Sequence, residues 1–226
     1  YFKNTRIYYA TRELPIFYYF LNQELAQFKL YVFARNIWKL SPYANSKFSF
    51  QMFPTDLFER LTVLWQKYSS LTRFEYWNTN ILDSTLQQIN YYYESGELDH
   101  PSASRILDGI ELVLNKIKQL VFTDKKSEDS KNFFLFENKI LHTSNHILVK
   151  SQEKNILYLT FDNPNFIISE DQEFTDYAEK WYDTIHESSY AVGQGSGHHA
   201  LNFFNQMQFK LDQVRKKWEH TNGSEI

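Results

Sequence analysis

Three sets of residues in this 226-residue chain have types and spacings that bear on chemistry: a glycine cluster ending in histidines, a second histidine pair, and clustered tyrosines. Gly193-Gln194-Gly195-Ser196-Gly197-His198-His199 holds three of the six glycines, directly before a helical pattern. Glycines let backbone amides approach an anion, and a helix N-terminus favours negative charge. The cluster lacks the Gly-Lys-Ser/Thr ending of a phosphate loop, no strand precedes it, and its spacing fails the dinucleotide fingerprint. A connector between two helices accounts for it equally well. His142 and His146 stand four apart and would share one face of a helix, but Thr143-Ser144-Asn145 predicts a turn between them. His198 and His199 are adjacent and diverge on a helix. With no cysteine in the chain, a zinc site needs three or four His and carboxylate ligands converging from separate segments. No metal-ligand spacing supports that, so neither a metal nor a cofactor is expected. Glu170, Asp171, Glu173, Asp176 and Glu179 read as the acidic start and solvated face of a helix rather than as a carboxylate pair for acid–base work. There is no Gly-x-Ser-x-Gly elbow. The expectation is a chain without catalytic residues, not an enzyme.

The elements that position these residues follow from periodicity. After Pro15, which suits a first helical turn, the run Gln23 to Leu40 carries Leu25, Ala26, Phe28, Leu30, Phe33, Ile37 and Trp38 around most of a helix. A second helix is expected after Pro54, capped by Thr55 or Asp56, with Leu57, Leu61 and Leu64 as its stripe. Thr72 to Trp77 alternates as a strand does. Asn80 then reads as an N-cap, with Leu82, Leu86, Ile89 and Tyr93 as the stripe and Gly96 placed for a left-handed C-cap. Ile106, Leu107, Ile110, Leu114, Ile117 and Val121 make one face of a helix from about Ser102 to Phe122.

Past the charged run from Thr123 to Ser130 the pattern becomes short and extended. Phe133 to Phe136, Ile140 to His142, His146 to Val149, Ile156 to Phe161 and Phe166 to Ile168 are five candidate strands. Their short connections favour an antiparallel meander. Ser169 with Gln172 predicts a capping box for a helix burying Phe174, Tyr177, Ala178, Trp181 and Ile185. A last helix runs from about His199 to Trp218. The fold class expected is α+β: a helical N-terminal half packed with an antiparallel β-meander, then two C-terminal helices, in one domain spanning 1–226. The charged run near 123–130 is the one candidate subdomain boundary.

Composition sets the bounds. The chain is 42% hydrophobic and 23% charged, ordinary for a globular domain, with a net charge of −3 that provides no field to attract nucleic acid. Lys210, Arg215, Lys216 and Lys217 cluster, but Asp212 and Glu219 interleave with them. The longest mainly apolar stretch, Leu14 to Leu21, falls far short of the ~20 residues a membrane span needs, and a cytoplasmic protein without membrane contact is expected. Tyr1 to Tyr9 reads as folded, strand-like sequence without a signal peptide, so the chain is expected to be a fragment of a longer protein.

The excess is aromatic: 20 Phe, 16 Tyr and 5 Trp, 18% of the chain. Tyr18, Tyr19, Tyr92 and Tyr93 are candidates to line a pocket for an apolar or planar ligand, their hydroxyls fixing its orientation. The plain alternative is a bulky aromatic core. Phe204, Met207, Leu211, Val214 and Trp218 follow a three-four spacing that fits heptad a and d positions over two heptads. They are the candidate seam of a homodimer, with packing onto their own domain as the alternative.

Glu13-Leu14-Pro15-Ile16-Phe17-Tyr18-Tyr19-Phe20 with Glu24 to Leu30, then Tyr158 to Asn163, Asp171 to Phe174 and Asn202-Phe203-Phe204-Asn205-Gln206-Met207, resemble segments of Bacteroidetes helix-turn-helix transcriptional regulators of the phage-repressor type. The resemblance covers most of the chain and rests on packing residues. It implies the C-terminal, non-DNA-binding region, with DNA bound only through an N-terminal domain expected upstream. Residues before Asn202 are charged in that family, where this chain has Gly193 to His199. The leading expectation is therefore an effector-sensing or dimerisation domain of a transcriptional regulator, with a small-molecule effector as a candidate partner. The alternatives are a small-ligand-binding protein or enzyme using an aromatic cleft and the histidine loop, and an interaction module with an exposed apolar patch.

Overall fold

The computed structural model describes residues 4–37, 46–123, 132–137, 145–161, 166–191 and 197–223. The chain divides into two compact units, each built from three stretches of sequence. The first takes Tyr1–Leu14, Lys67–Ile81 and Lys118–Leu201; the second takes Pro15–Gln66, Leu82–Ile117 and Asn202–Ile226. One crossing between the units falls between Ile117 and Lys118, shortly before the charged run from Thr123, and the others fall elsewhere in the chain because strands distant in sequence pair with one another.

The first unit is a mixed sheet of seven strands in the order β6-β5-β4-β1-β2-β3-β7. Its strands are β1 (Arg6–Thr11), β2 (Thr72–Asn78), β3 (Phe133–Phe136), β4 (Asn145–Lys150), β5 (Asn155–Thr160), β6 (Phe166–Ser169) and the two-residue β7 (Tyr190–Ala191). β1, β2 and β3 are parallel neighbours, with Tyr8 opposite Phe74 and Tyr76 opposite Phe134. Helical stretches run between them, the long crossovers that parallel pairing requires. β4, β5 and β6 form the expected antiparallel meander, which joins β1 through β4. β3 is not part of it, lying between β2 and β7. The α+β class and the order of helices and strands are as expected. The candidate strand Ile140 to His142 lies outside the described residues.

Helix α6 (Gln172–Ser188) covers one face of this sheet. Ala178, Tyr182 and Ile185 close a core with Ala10, Tyr76, Phe134, Phe136, Leu148 and Leu157. Its cap is Asp171, not the Ser169 box expected: the Asp171 carboxylate accepts from the Phe174 amide at 3.1 Å. Ser169 instead ends β6, and its hydroxyl accepts from the Asp171 amide. The buried stripe is also displaced. Thr175, Ala178, Tyr182 and Ile185 are buried, whereas Phe174 and Tyr177 are 62% and 74% exposed.

The second unit is helical, formed from α1 (Ile16–Tyr19), α2 (Gln23–Ile37) and most of each of α3 (Thr55–Ser69), α4 (Ile81–Glu94), α5 (His100–Thr123) and α7 (Gly197–Gly223). Asn22 caps α2 by accepting from the Leu25 amide, and sits so close to α5 that a Cβ on Gly109 would lie 2.7 Å from its Oδ1. Gly96 takes φ +71 after α4, the left-handed turn expected there. Phe58, not Leu64, is the buried residue of α3 in this unit; Leu64 points to solvent, as does Phe33 of α2. Trp38 and Leu40 lie outside the described residues.

Candidate functional site

The chemistry-bearing side chains of the sheet unit separate by face, because successive residues of a strand alternate. On the α6 face the centre is the Tyr182 hydroxyl, fully buried between β1 and β4. The Ala10 amide donates to it at 3.2 Å, and its single proton is directed at the carbonyl oxygens of His146 (2.5 Å) and Tyr8 (3.0 Å). His146 Nδ1 lies 3.1 Å away. Since the hydroxyl proton is committed to a carbonyl, Nδ1 carries the hydrogen and donates, which completes the hydroxyl's one donor and two acceptor positions. The His146 ring packs on Trp181 with centroids 4.2 Å apart. Burial disfavours the imidazolium and lowers the His146 pKa to about 4, and the same cause pushes the Tyr182 phenol up. A second pair lies further along α6, where the Tyr76 hydroxyl meets His186 Nδ1 at 3.1 Å and the His186 ring packs on Phe134. Burial raises the Tyr76 phenol as well.

On the opposite face the adjoining residues of β2 form a buried charged network. Glu75 Oε1 accepts from Arg73 Nε at 2.9 Å and from the Tyr68 hydroxyl at 3.0 Å, and Oε2 accepts from Trp77 Nε1 at 2.9 Å. Arg73 also donates to the Ser69 carbonyl and lies over the Tyr68 ring. Beside it, Asn145 Oδ1 accepts from the hydroxyls of Tyr9 (2.8 Å) and Thr11 (2.9 Å), while its amide donates to Thr160. Both networks tie strands to one another or to a helix.

The third feature is apolar and exposed. Among the described residues β6 is one of the two edge strands, and Phe166, Ile167 and Ile168 are 59%, 52% and 58% exposed. Register places Ile167 beside Leu159 and then His146 on the α6 face. Trp181, stacked on His146, shares one side of α6 with Phe174 and Tyr177 at i, i+3 and i+7 spacing. The result is an apolar shelf running from the edge strand to the flank of the helix. On the other face Phe166 stacks on Tyr158, centroids 5.9 Å apart.

The residues singled out from sequence go elsewhere. Tyr18, Tyr19 and Tyr92 are buried in the helical unit: Tyr18 packs on Trp65, the Tyr19 hydroxyl meets Thr85 at 2.7 Å, and Tyr92 packs on Phe28 and Tyr31. Tyr93 packs on Trp218. The offered dimer seam is internal: Phe204, Met207, Leu211 and Trp218 are buried and Val214 is part-buried. α7 is held to its own unit where Trp218 Nε1 donates to Asn90 Oδ1 and Arg215 pairs with Asp108 and Glu111. Lys210 and Lys217 likewise pair with Asp83 and Glu94. These residues therefore pack onto their own unit, the plain reading of the three-four spacing.

His198 and His199 are exposed at the start of α7. His142 and Gly193 to Ser196 lie outside the described residues. Among the described residues no three His, Cys, Asp or Glu side chains come together as a metal site, and no helix is long and apolar enough to cross a membrane. Sequence reasoning missed the edge shelf. Its signal was present in Phe166-Ile167-Ile168, an unbroken apolar run where a half-buried strand would alternate.

No family model matches this chain, and no curated protein and no solved structure is similar to it.

Proposed function

We propose that this chain is a protein-interaction region of a transcriptional regulator, non-enzymatic, with DNA bound through another part of the protein. The regulator class rests on the sequence resemblance; the interaction role rests on one observation, the exposed apolar surface of β6 and α6. Large exposed apolar residues gathered on one surface mark a site for a partner, and an edge strand offers unpaired backbone groups beside them. The histidine, tyrosine and glutamate groups that would serve catalysis are engaged in holding strands and helix together.

The test is uptake of a hydrophobic dye such as bis-ANS, with amide hydrogen exchange across 166–169. The reading predicts dye binding by the folded chain, rapid exchange along β6, and loss of dye binding in Ile167→Asp/Tyr177→Asp with the thermal midpoint kept within a few degrees. A folded chain that takes up no dye and protects its β6 amides sinks it.

A further inference from the structure

We infer that the shelf formed by β6 and the first turns of α6 receives an extended, apolar protein segment flanked by lysine or arginine, which adds to the sheet as a strand beside β6. The inference rests on the interaction reading above and names the kind of partner.

The geometry is that of an edge strand beside a helix flank that the sheet leaves uncovered. Phe174 lies with Tyr177 and Trp181 on the flank of α6, next to the buried Thr175 and Ala178. Ala178 is 1% exposed and Phe174 62%. Thr175, in the same turn, is 1% exposed, so the sheet reaches this turn and leaves open only the flank that carries Phe174 and Tyr177, on the side where one more strand beside β6 would lie. Alternate side chains of such a strand would meet Ile167, Phe174 and Tyr177 on one face and Phe166 and Ile168 on the other.

Charge selects the occupant. Around the shelf Glu153, Glu170, Asp171, Glu173 and Asp176 are exposed, against the lysines Lys154 and Lys180. Lys154 is already paired with Glu170. A second copy of this chain laid antiparallel along β6 would bring the same acidic border up against its own, at a repulsive cost. A segment with basic ends meets that border with opposite charge, while its apolar centre covers the shelf.

The experiment is selection of a random dodecapeptide phage library on the whole folded chain. The strongest selected sequence is then synthesised and titrated by fluorescence anisotropy. The expected peptides alternate apolar residues between Lys or Arg ends, and bind at least about tenfold more weakly in half-molar salt than in dilute buffer. The same weakening is expected for Glu173→Gln/Asp176→Asn, and binding is lost in Ile167→Asp, with circular dichroism unchanged in each. Selected peptides without basic ends, binding indifferent to salt, or binding unaltered by Ile167→Asp would overturn it. So would a dimer found by light scattering that Ile167→Asp dissolves, since a second copy would then hold the edge. Dye uptake with no enriched peptide defeats this partner and leaves the interaction reading standing; no dye uptake defeats both.

Discussion

Strands β1, β2 and β3 and strands β4, β5 and β6 belong to one sheet and differ in how they are covered. In the parallel trio most positions past the first residues are buried, and β3 is buried at all four. In the meander only Leu148 of β4 and Leu157 of β5 are buried, and none of β6 is. The parallel trio behaves as parallel strands generally do, buried on both faces. Burial on both faces leaves each polar group there in need of a partner within the protein, which is why Arg73, Glu75, Tyr68 and Trp77 form a network. The meander carries apolar residues outward instead, where water cannot satisfy them and another chain can.

The largest expected effect comes from breaking the buried side. Glu75→Ala removes the acceptor for Arg73, Tyr68 and Trp77 at once and leaves a buried guanidinium without its carboxylate. A loss of about 3–5 kcal/mol in denaturant unfolding is expected. A loss below about 1 kcal/mol would show that water reaches this face and that the contrast with the meander is weaker than drawn.

His146 stands at the seam between the two regions and gives the next effect through pH. Its folded pKa of about 4 lies below the ordinary value of 6.5. Between those values the unfolded chain binds more protons than the folded one. Stability from this residue is therefore complete above about pH 6.5 and is lost as pH falls towards 4. At about 1.4 kcal/mol per pKa unit, the loss is on the order of 3 kcal/mol. Urea unfolding of the wild type and of His146→Phe across this range checks it: the difference between their curves should narrow as pH falls. Parallel curves would mean the imidazole is hydrated.

The smallest effect is expected at the far edge. Ile168→Thr keeps strand propensity and removes apolar surface that is already exposed, so the unfolding free energy should stay within about 0.5 kcal/mol of wild type. A larger loss would show that Ile168 is covered in solution, and would erase the gradient across the sheet.

Much of the element order was legible in the residues because it follows from local periodicity. Pro15, Pro54 and Gly96 punctuate the helical half where backbone restriction demands it, and the polar Thr143-Ser144-Asn145 before His146 marks the start of the meander. The α6 stripe was misread because two adjacent faces are both apolar. Phe174-Tyr177-Trp181 and Thr175-Ala178-Tyr182-Ile185 are each spaced for a helix, and hydrophobicity favours the first. The sheet selected the second, whose small Thr175 and Ala178 allow close approach and whose Tyr182 hydroxyl has backbone partners to meet. The α7 stripe was equally readable as seam or core, since a three-four spacing is the same for either.

By itself the sequence determined the α+β class, the helices and the short strands, because propensity, capping and periodicity act within a few residues of chain. Only the tertiary structure decided that β1 lies beside both β2 and β4, partners far from it and from each other in sequence. That choice put Arg73 and Glu75 in the interior, set the Tyr182 hydroxyl among the carbonyls of Tyr8 and His146, and left Phe166, Ile167 and Ile168 at an open edge. A strand's position in a sheet is fixed by which distant strands pair with it, and no local pattern carries that information.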